Sequence, residues 1–342
     1  MSANQSTTRP IPPAWKVALG VVVAVLVVVG VGLLIARAAG FAEVRDAIEQ
    51  ADSTWFLVCF VAQVAALGGY AAVVREALRW DNGPDPGFGL GAHVMLASIG
   101  ATRVFAAGGA GAIAAAYWCF RRACFAQREA LVRVLGFNTL FYVAFGVGAW
   151  VAALFLALGI WGDAPLALTV PWLALIPFCF AAAAFVTQPA RVGGLTAPGG
   201  LMVHRGLAYA ISGAAWVRDV LPHPAGRRSL LWSLLYWAGN VVCLWAALSS
   251  VGQSLPVPEL VLAFATGHVA TILPLPLGGV GGVDAAMTYA LTVVGVSLAP
   301  ALVAVAVYRL FAFWAPTIPA FVALALMPRA GRRLEQAAAA RV

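Results

Sequence analysis

Between Val17 and Ile35 every residue is apolar or glycine. A run of this kind, about 20 residues long, matches the hydrocarbon thickness of a bilayer and restricts the chain to few folds. With no water to satisfy them, backbone amides must bond within the segment, which leaves helices and closed barrels. Further apolar windows fall at 54–74, 88–120, 130–160, 171–188, 229–250, 259–297 and 300–327. None shows the ten-residue alternation of a barrel strand. Only 10% of the 342 residues are charged, where a soluble domain carries about a quarter. The expected fold is all-α, a polytopic helical membrane protein forming a single transmembrane domain over 1–342. Arg9, Lys16 and the small residues near Ala36 and Ala38 resemble a signal peptide, but the apolar run exceeds the 7–15 residues of a signal core. It reads as an uncleaved first span.

The net charge of +8 is unevenly placed. Arg75 and Arg79 follow the second window, and Arg121, Arg122, Arg128 and Arg133 follow the third. Arg191, Arg205, Arg218, Arg227 and Arg228 fill the 190–228 connection, and Arg329, Arg332 and Arg333 close the chain. The short connections 161–170 and 251–259 have no Lys or Arg. The positive-inside rule then predicts a multi-pass cell-membrane protein with both termini and the basic 190–228 connection in the cytoplasm. The 37–53 connection is mixed in charge and reads as a loop. Within 190–228, the stretch LAYAISGAAWVRDVL fits either an amphipathic surface helix or part of a solvated basic loop. The basic charge is absorbed by topology, so no nucleic-acid partner is expected.

Two windows are interrupted. The region 88–120 contains Gly108-Gly109-Ala110-Gly111, and 259–297 contains LPLPLGGVGGVDAAM. Shifting the chain by 170 residues sets Gly108, Gly109 and Gly111 on Gly278, Gly279 and Gly281. A shift of 177 sets Trp55 on Trp232 and Gln63 on Asn240. With the charge-based topology, the units at about 54–160 and 229–327 run in opposite directions. Inverted repeats with broken or re-entrant helices are therefore expected, as in many transporters.

Irregular backbone at membrane depth survives only when buried in protein or facing a wet cavity. Leu273–Met287 thus reads as a helix end, a Pro/Gly turn and a new helix start. Free amides there suit an anion such as a phosphate, and close helix packing is the alternative use of the glycines. Asp284 and Arg309 are charges inside apolar segments and are the expected partners of one another, either as a structural pair or with a lipid phosphate on Arg309. Arg103, Asn138, Tyr308, Gln63 and Asn240 complete the candidate lipid-binding set with Arg309, Asp284 and the six glycines. Each of these polar residues also serves as ordinary interhelical glue. No catalytic residues, metal site or cofactor are expected: the chain has no GxSxG, HExxH or P-loop, and its five cysteines and four histidines lack ligand spacing.

The runs PLGGVGGVDAAM and VGVSLAPALVAVAVYRLFAFWAP resemble the transmembrane, flippase-like region of lysylphosphatidylglycerol synthases and their standalone relatives. The matching positions are Pro276, Gly278, Gly279, Gly281, Asp284, Gly295, Ser297 and Arg309, with Arg75, Arg79 and Trp80 resembling an Arg-Trp segment. The family acid is usually glutamate, so Asp284 is a shortened version, and FAAGGAG lacks the proline usual near the first glycine cluster. The resemblance covers roughly 15–330. It implies a lipid-translocating or lipid-binding module without the soluble aminoacyl-transfer domain. The expected function is a flippase-like transporter of a phospholipid or polyprenyl-phosphate-linked lipid, not an enzyme. The alternatives are a lipid-binding scaffold for a partner enzyme and, further off, an embedded lipid-modifying enzyme.

Overall fold

The computed structural model describes Leu26, Gly30, Leu33, Arg37 and residues 40–104, 109–162, 165–190, 202–272 and 281–340. Most of the expected first span, together with Gly108, Gly278 and Gly279, lies outside them. Among the described residues the chain is helical and has no strand. The helices are α1 (Phe41–Glu49), α2 (Thr54–Arg79), α3 (Gly87–Val104), α4 (Ala110–Arg122), α5 (Gln127–Ala157), α6 (Leu166–Val186) and α7 (Met202–Val220). They continue as α8 (Pro224–Ser250), α9 (Val257–Val269, extended by a 3-10 turn Ala270–Ile272), α10 (Gly282–Val293) and α11 (Leu298–Arg309). A π-helical turn, Leu310–Trp314, joins α11 to α12 (Ala315–Ala325), and α13 (Met327–Ala339) closes the chain.

Among the described residues, five segments are long and apolar enough to cross a bilayer: α2, α5, α6, α8 and the continuous Leu298–Ala325. The chain is a multi-pass helical membrane protein. Several helices begin earlier than their apolar windows. Helix α8 starts at Pro224, because proline is preorganised for the first helical turn and the polar Arg227 and Arg228 still belong to the helix. The connections hold structure that apolarity does not reveal. The expected loop 37–53 contains α1, which buries none of its own residues. The 190–228 connection contains α7, which packs along α5 rather than forming a plain loop. Gly136 of α5 lies against the Trp216 ring and Gly213 of α7, while the Cβ of Leu135 approaches Gly213.

At 13, 13 and 12 residues, α4, α9 and α10 each span roughly 20 Å at 1.5 Å per residue, short of the ~30 Å hydrocarbon core. They occur in pairs: α3 packs on α4, and α9 packs on α10. Each second helix starts from a left-handed glycine, Gly109 (φ 85°) and Gly281 (φ 81°). Any side chain there meets the Cβ penalty of that conformation, so glycine is required. Each is the N-cap residue of its short helix.

The pairs lean on long helices. Helix α3 rests on α12, with Gly100 against the Ala320 carbonyl, and α9 rests on α5. At the centre α2 and α8 cross closely. A Cβ on Gly239 would stand 2.6 Å from the Ala62 carbonyl oxygen, and one on Gly69 2.6 Å from that of Trp232. Both obstacles are backbone, so relief requires the helices to part. Gly69→Ala is expected to lose about 1–3 kcal/mol, whereas Gly68→Ala, whose added Cβ meets nothing within 4 Å, should be neutral or gain up to about 1 kcal/mol in helix propensity. Thermal unfolding of the two variants in detergent checks this; equal melting temperatures would show that the crossing is loose.

Candidate functional site

Asp284 lies in the first turn of α10, three residues after Gly281. Its Oδ2 accepts the Gly281 N–H at 2.8 Å, satisfying an amide that the helix start leaves over. Its Oδ1 stands 2.7 Å from Arg309 Nε, with the two side chains 16% and 11% exposed. The carboxylate thus joins the start of α10 to the end of α11. The ion pair does not use up either group. Among the described residues, Asp284 Oδ1 receives no aligned hydrogen bond and the buried Arg309 Nη2 has no partner.

Arg309 is the last residue of α11, immediately before the π turn. That turn carries Phe313, and the Arg309 guanidinium carbon lies 4.2 Å from the centre of its ring. Arg103 reaches the same ring from the last turn of α3, at 3.5 Å. The two guanidinium carbons are therefore no farther apart than the sum of those distances. Even at that upper limit two like charges repel by roughly 2 kcal/mol at an effective dielectric near 20. The negative end of the α3 dipole and the face of Phe313 offset part of that. Arg103 makes no ion pair among the described residues, and its buried Nε has no hydrogen-bond partner. Two cations and one carboxylate leave one positive charge uncompensated.

The polar residues expected around this centre divide. Tyr308, next to Arg309, donates from its hydroxyl to Asn240 Oδ1 at 3.1 Å, tying α11 to α8. Asn240 also donates to the Tyr236 carbonyl. Gln63 is buried on α2, with an Oε1 that lacks a donor. Asn138 hydrogen-bonds within its own helix, to the Val134 carbonyl. Gly109 caps α4 and Gly111 is buried in its first turn. One participant, Phe313, is not evident from residue type. Nearby in sequence, Thr288 has a buried hydroxyl with no partner among the described residues, and His268 stacks on Phe264. The one usable signal was Phe313 at i+4 from Arg309.

An apolar groove of ≈ 370 Å³ runs between α5, α8 and α9, lined by Phe145, Trp237, Val241, Val261 and Phe264 among others. Its wall backs onto the polar centre: the Phe264 ring lies 6.1 Å from that of Tyr308.

The Arg-Trp segment forms a separate polar cluster at the far end of α2. Arg75 meets Asp85 with two hydrogen bonds of 2.8 Å, and buried Glu76 pairs with Arg79 at 3.3 Å and Arg228 at 3.2 Å. Arg133, 3% exposed, donates to the carbonyls of Ala77 and Trp80. These contacts close the end of α2 onto α5 and α8.

The model of the lysylphosphatidylglycerol synthase TM region matches residues 18–320. The chain belongs to that family. No curated protein matches it. As a lysylphosphatidylglycerol synthase TM-region protein it is a membrane domain of lipid metabolism, and the matched span contains both broken helix pairs and the Asp284–Arg309 pair.

The loop cluster carries a pH signature. The Arg75 hydrogen bonds hold the Asp85 carboxyl at about 2, below its ordinary 3.8, and the Gly87 N–H and the Arg79 charge add to this against slight burial. A depressed carboxylate contributes stability that is complete above the unfolded value and disappears as pH falls through the folded one. Asp85→Asn should therefore melt a few degrees below the parent at about pH 6, with the gap closing between about pH 4 and pH 2. Melting curves across that range check it; a gap that persists at the acid end would contradict the assignment.

Proposed function

We propose that this chain is a flippase-like transporter that carries a phosphate-containing lipid across the cell membrane, with both termini and the α7 connection on the cytoplasmic side. The observation that carries the reading is the pair of buried guanidinium groups, Arg103 and Arg309, each with an N–H lacking a partner at the end of a helix inside an apolar bundle. An arginine keeps its charge and its fork of donors matches a phosphate, so an incompletely satisfied pair at membrane depth suits a phosphate ligand. An intramembrane ionisable residue is by default a functional one.

The surroundings support translocation. Two broken helix pairs start their second helices from left-handed glycines, and α3 on α12 corresponds to α9 on α5. This correspondence, with the close α2–α8 crossing, favours two inverted repeats, the architecture in which a site near the midplane is exposed alternately to each side. The apolar groove behind Tyr308 offers room for an acyl chain beside a head group held at Arg309.

The test is lipid translocation in proteoliposomes. Arg309→Gln should reduce transport about tenfold or more with a loss of a few degrees in melting temperature, and Arg309→Lys should restore only a small part, since an ammonium lacks the planar fork. Full transport by a stable Arg309→Gln protein would refute the reading. Recovery of both stability and transport in Asp284→Asn/Arg309→Gln would reduce the pair to a structural one.

A further inference from the structure

We propose that Arg103 and Phe313 turn the Asp284–Arg309 pair into a seat for one negative charge, and that this seat selects a mono-anionic phosphodiester over a zwitterionic or cationic head group. The proposal rests on the lipid reading above and specifies its substrate class.

Charge is the first ground. The centre holds two guanidinium groups and one carboxylate, and that carboxylate is already engaged by the Gly281 N–H and by Arg309. A phosphodiester brings one negative charge shared by two outer oxygens, which neutralises the surplus. A choline or lysyl head group brings an ammonium as well. That ammonium would enter a centre whose balance is already positive. Unpaired charge is costly at this depth, so the discrimination comes from repulsion as much as from attraction.

Geometry is the second ground. Phe313 presents its ring to both guanidinium carbons, at 3.5 and 4.2 Å. A cation–π contact uses none of the N–H donors in a hydrogen bond, which leaves them for a ligand. Arg103 Nε and Arg309 Nη2 are both buried and unpartnered, so donors are available from both residues. Phe313 is a positioning residue: its ring meets both guanidinium groups without neutralising either. The π turn places it there, and π segments inside helices recur at functional sites.

Native mass spectrometry of the purified full chain tests this with three dioleoyl lipids: phosphatidylglycerol, phosphatidylcholine and lysyl-phosphatidylglycerol. The wild type should prefer phosphatidylglycerol by about tenfold over the other two. Arg103→Gln and Phe313→Leu should each bring that preference to within about threefold, with Arg103→Lys intermediate, at melting temperatures close to the parent's. Asp284→Asn adds a net positive charge and should shift the preference toward phosphatidate, a phosphomonoester able to carry two negative charges. Equal binding of the three lipids by wild type overturns the proposal whether or not any variant folds. So does an undiminished preference in folded Arg103→Gln. Binding of lipids without charge preference leaves the transport reading standing and removes only this one, whereas no phospholipid binding by wild type removes both. Glycerophosphoglycerol, the same head group without acyl chains, separates the sources. Failure to displace the lipid assigns the seat to a membrane ligand. Displacement at matched concentration keeps the seat but overturns its lipid assignment.

Discussion

Arg309 cannot discard its charge, and in an apolar bundle that charge must be met by a carboxylate, a ligand or water. Much of the irregular structure of this protein supplies the answer. Helix α10 begins where it does so that Asp284 can accept the Gly281 amide and still face Arg309 at 2.7 Å. That start needs a residue at φ 81°, and therefore glycine. On the other side, α11 passes into a π turn that sets Phe313 beside the guanidinium, and the end of α3 brings Arg103 to the same ring. Four helical segments converge on one ion pair, and the pair leaves donors free.

Such a centre has to be held by packing that does not yield. Glycines remove the side chain wherever helices press together: Gly69 and Gly239 at the α2–α8 crossing, Gly100 against Ala320, Gly267 against Met287. In lipid there is no hydrophobic gain from bringing two apolar helices together, so close backbone approach supplies much of the association. The Asn240–Tyr308 hydrogen bond adds a directional tie one residue from Arg309. The fold therefore ties the polar centre together on the α8 and α11 side.

Spans were legible because length and apolarity are direct consequences of bilayer thickness, and α2, α5, α6, α8 and Leu298–Ala325 sit where the windows place them. The Asp284–Arg309 pairing was legible for a related reason: two opposite charges isolated in apolar sequence have few other partners. Orientation in pairs was less so. Gly109 and Gly281 each take a positive φ at the start of a short helix, and residue type alone does not say which glycine of a cluster does so. Helix α7 was ambiguous because its contact with α5 depends on Gly136 and Gly213, and small residues carry no hydrophobic signal. Phe313 was hidden among many aromatics, since ring chemistry alone does not separate a packing residue from one that two arginines share. Asn138 donates to its own backbone, the Val134 carbonyl, as a polar side chain in a membrane helix can.

The account turns on whether the free donors of Arg103 and Arg309 belong to a ligand. An experimental structure of the protein extracted with its surrounding lipids in nanodiscs addresses this directly. The account predicts phosphate density within hydrogen-bond distance of Arg103 Nε and Arg309 Nη2, with an acyl chain leading toward the bilayer. A bundle in which protein side chains or backbone carbonyls close both guanidinium groups, with no lipid head group between them, would contradict it.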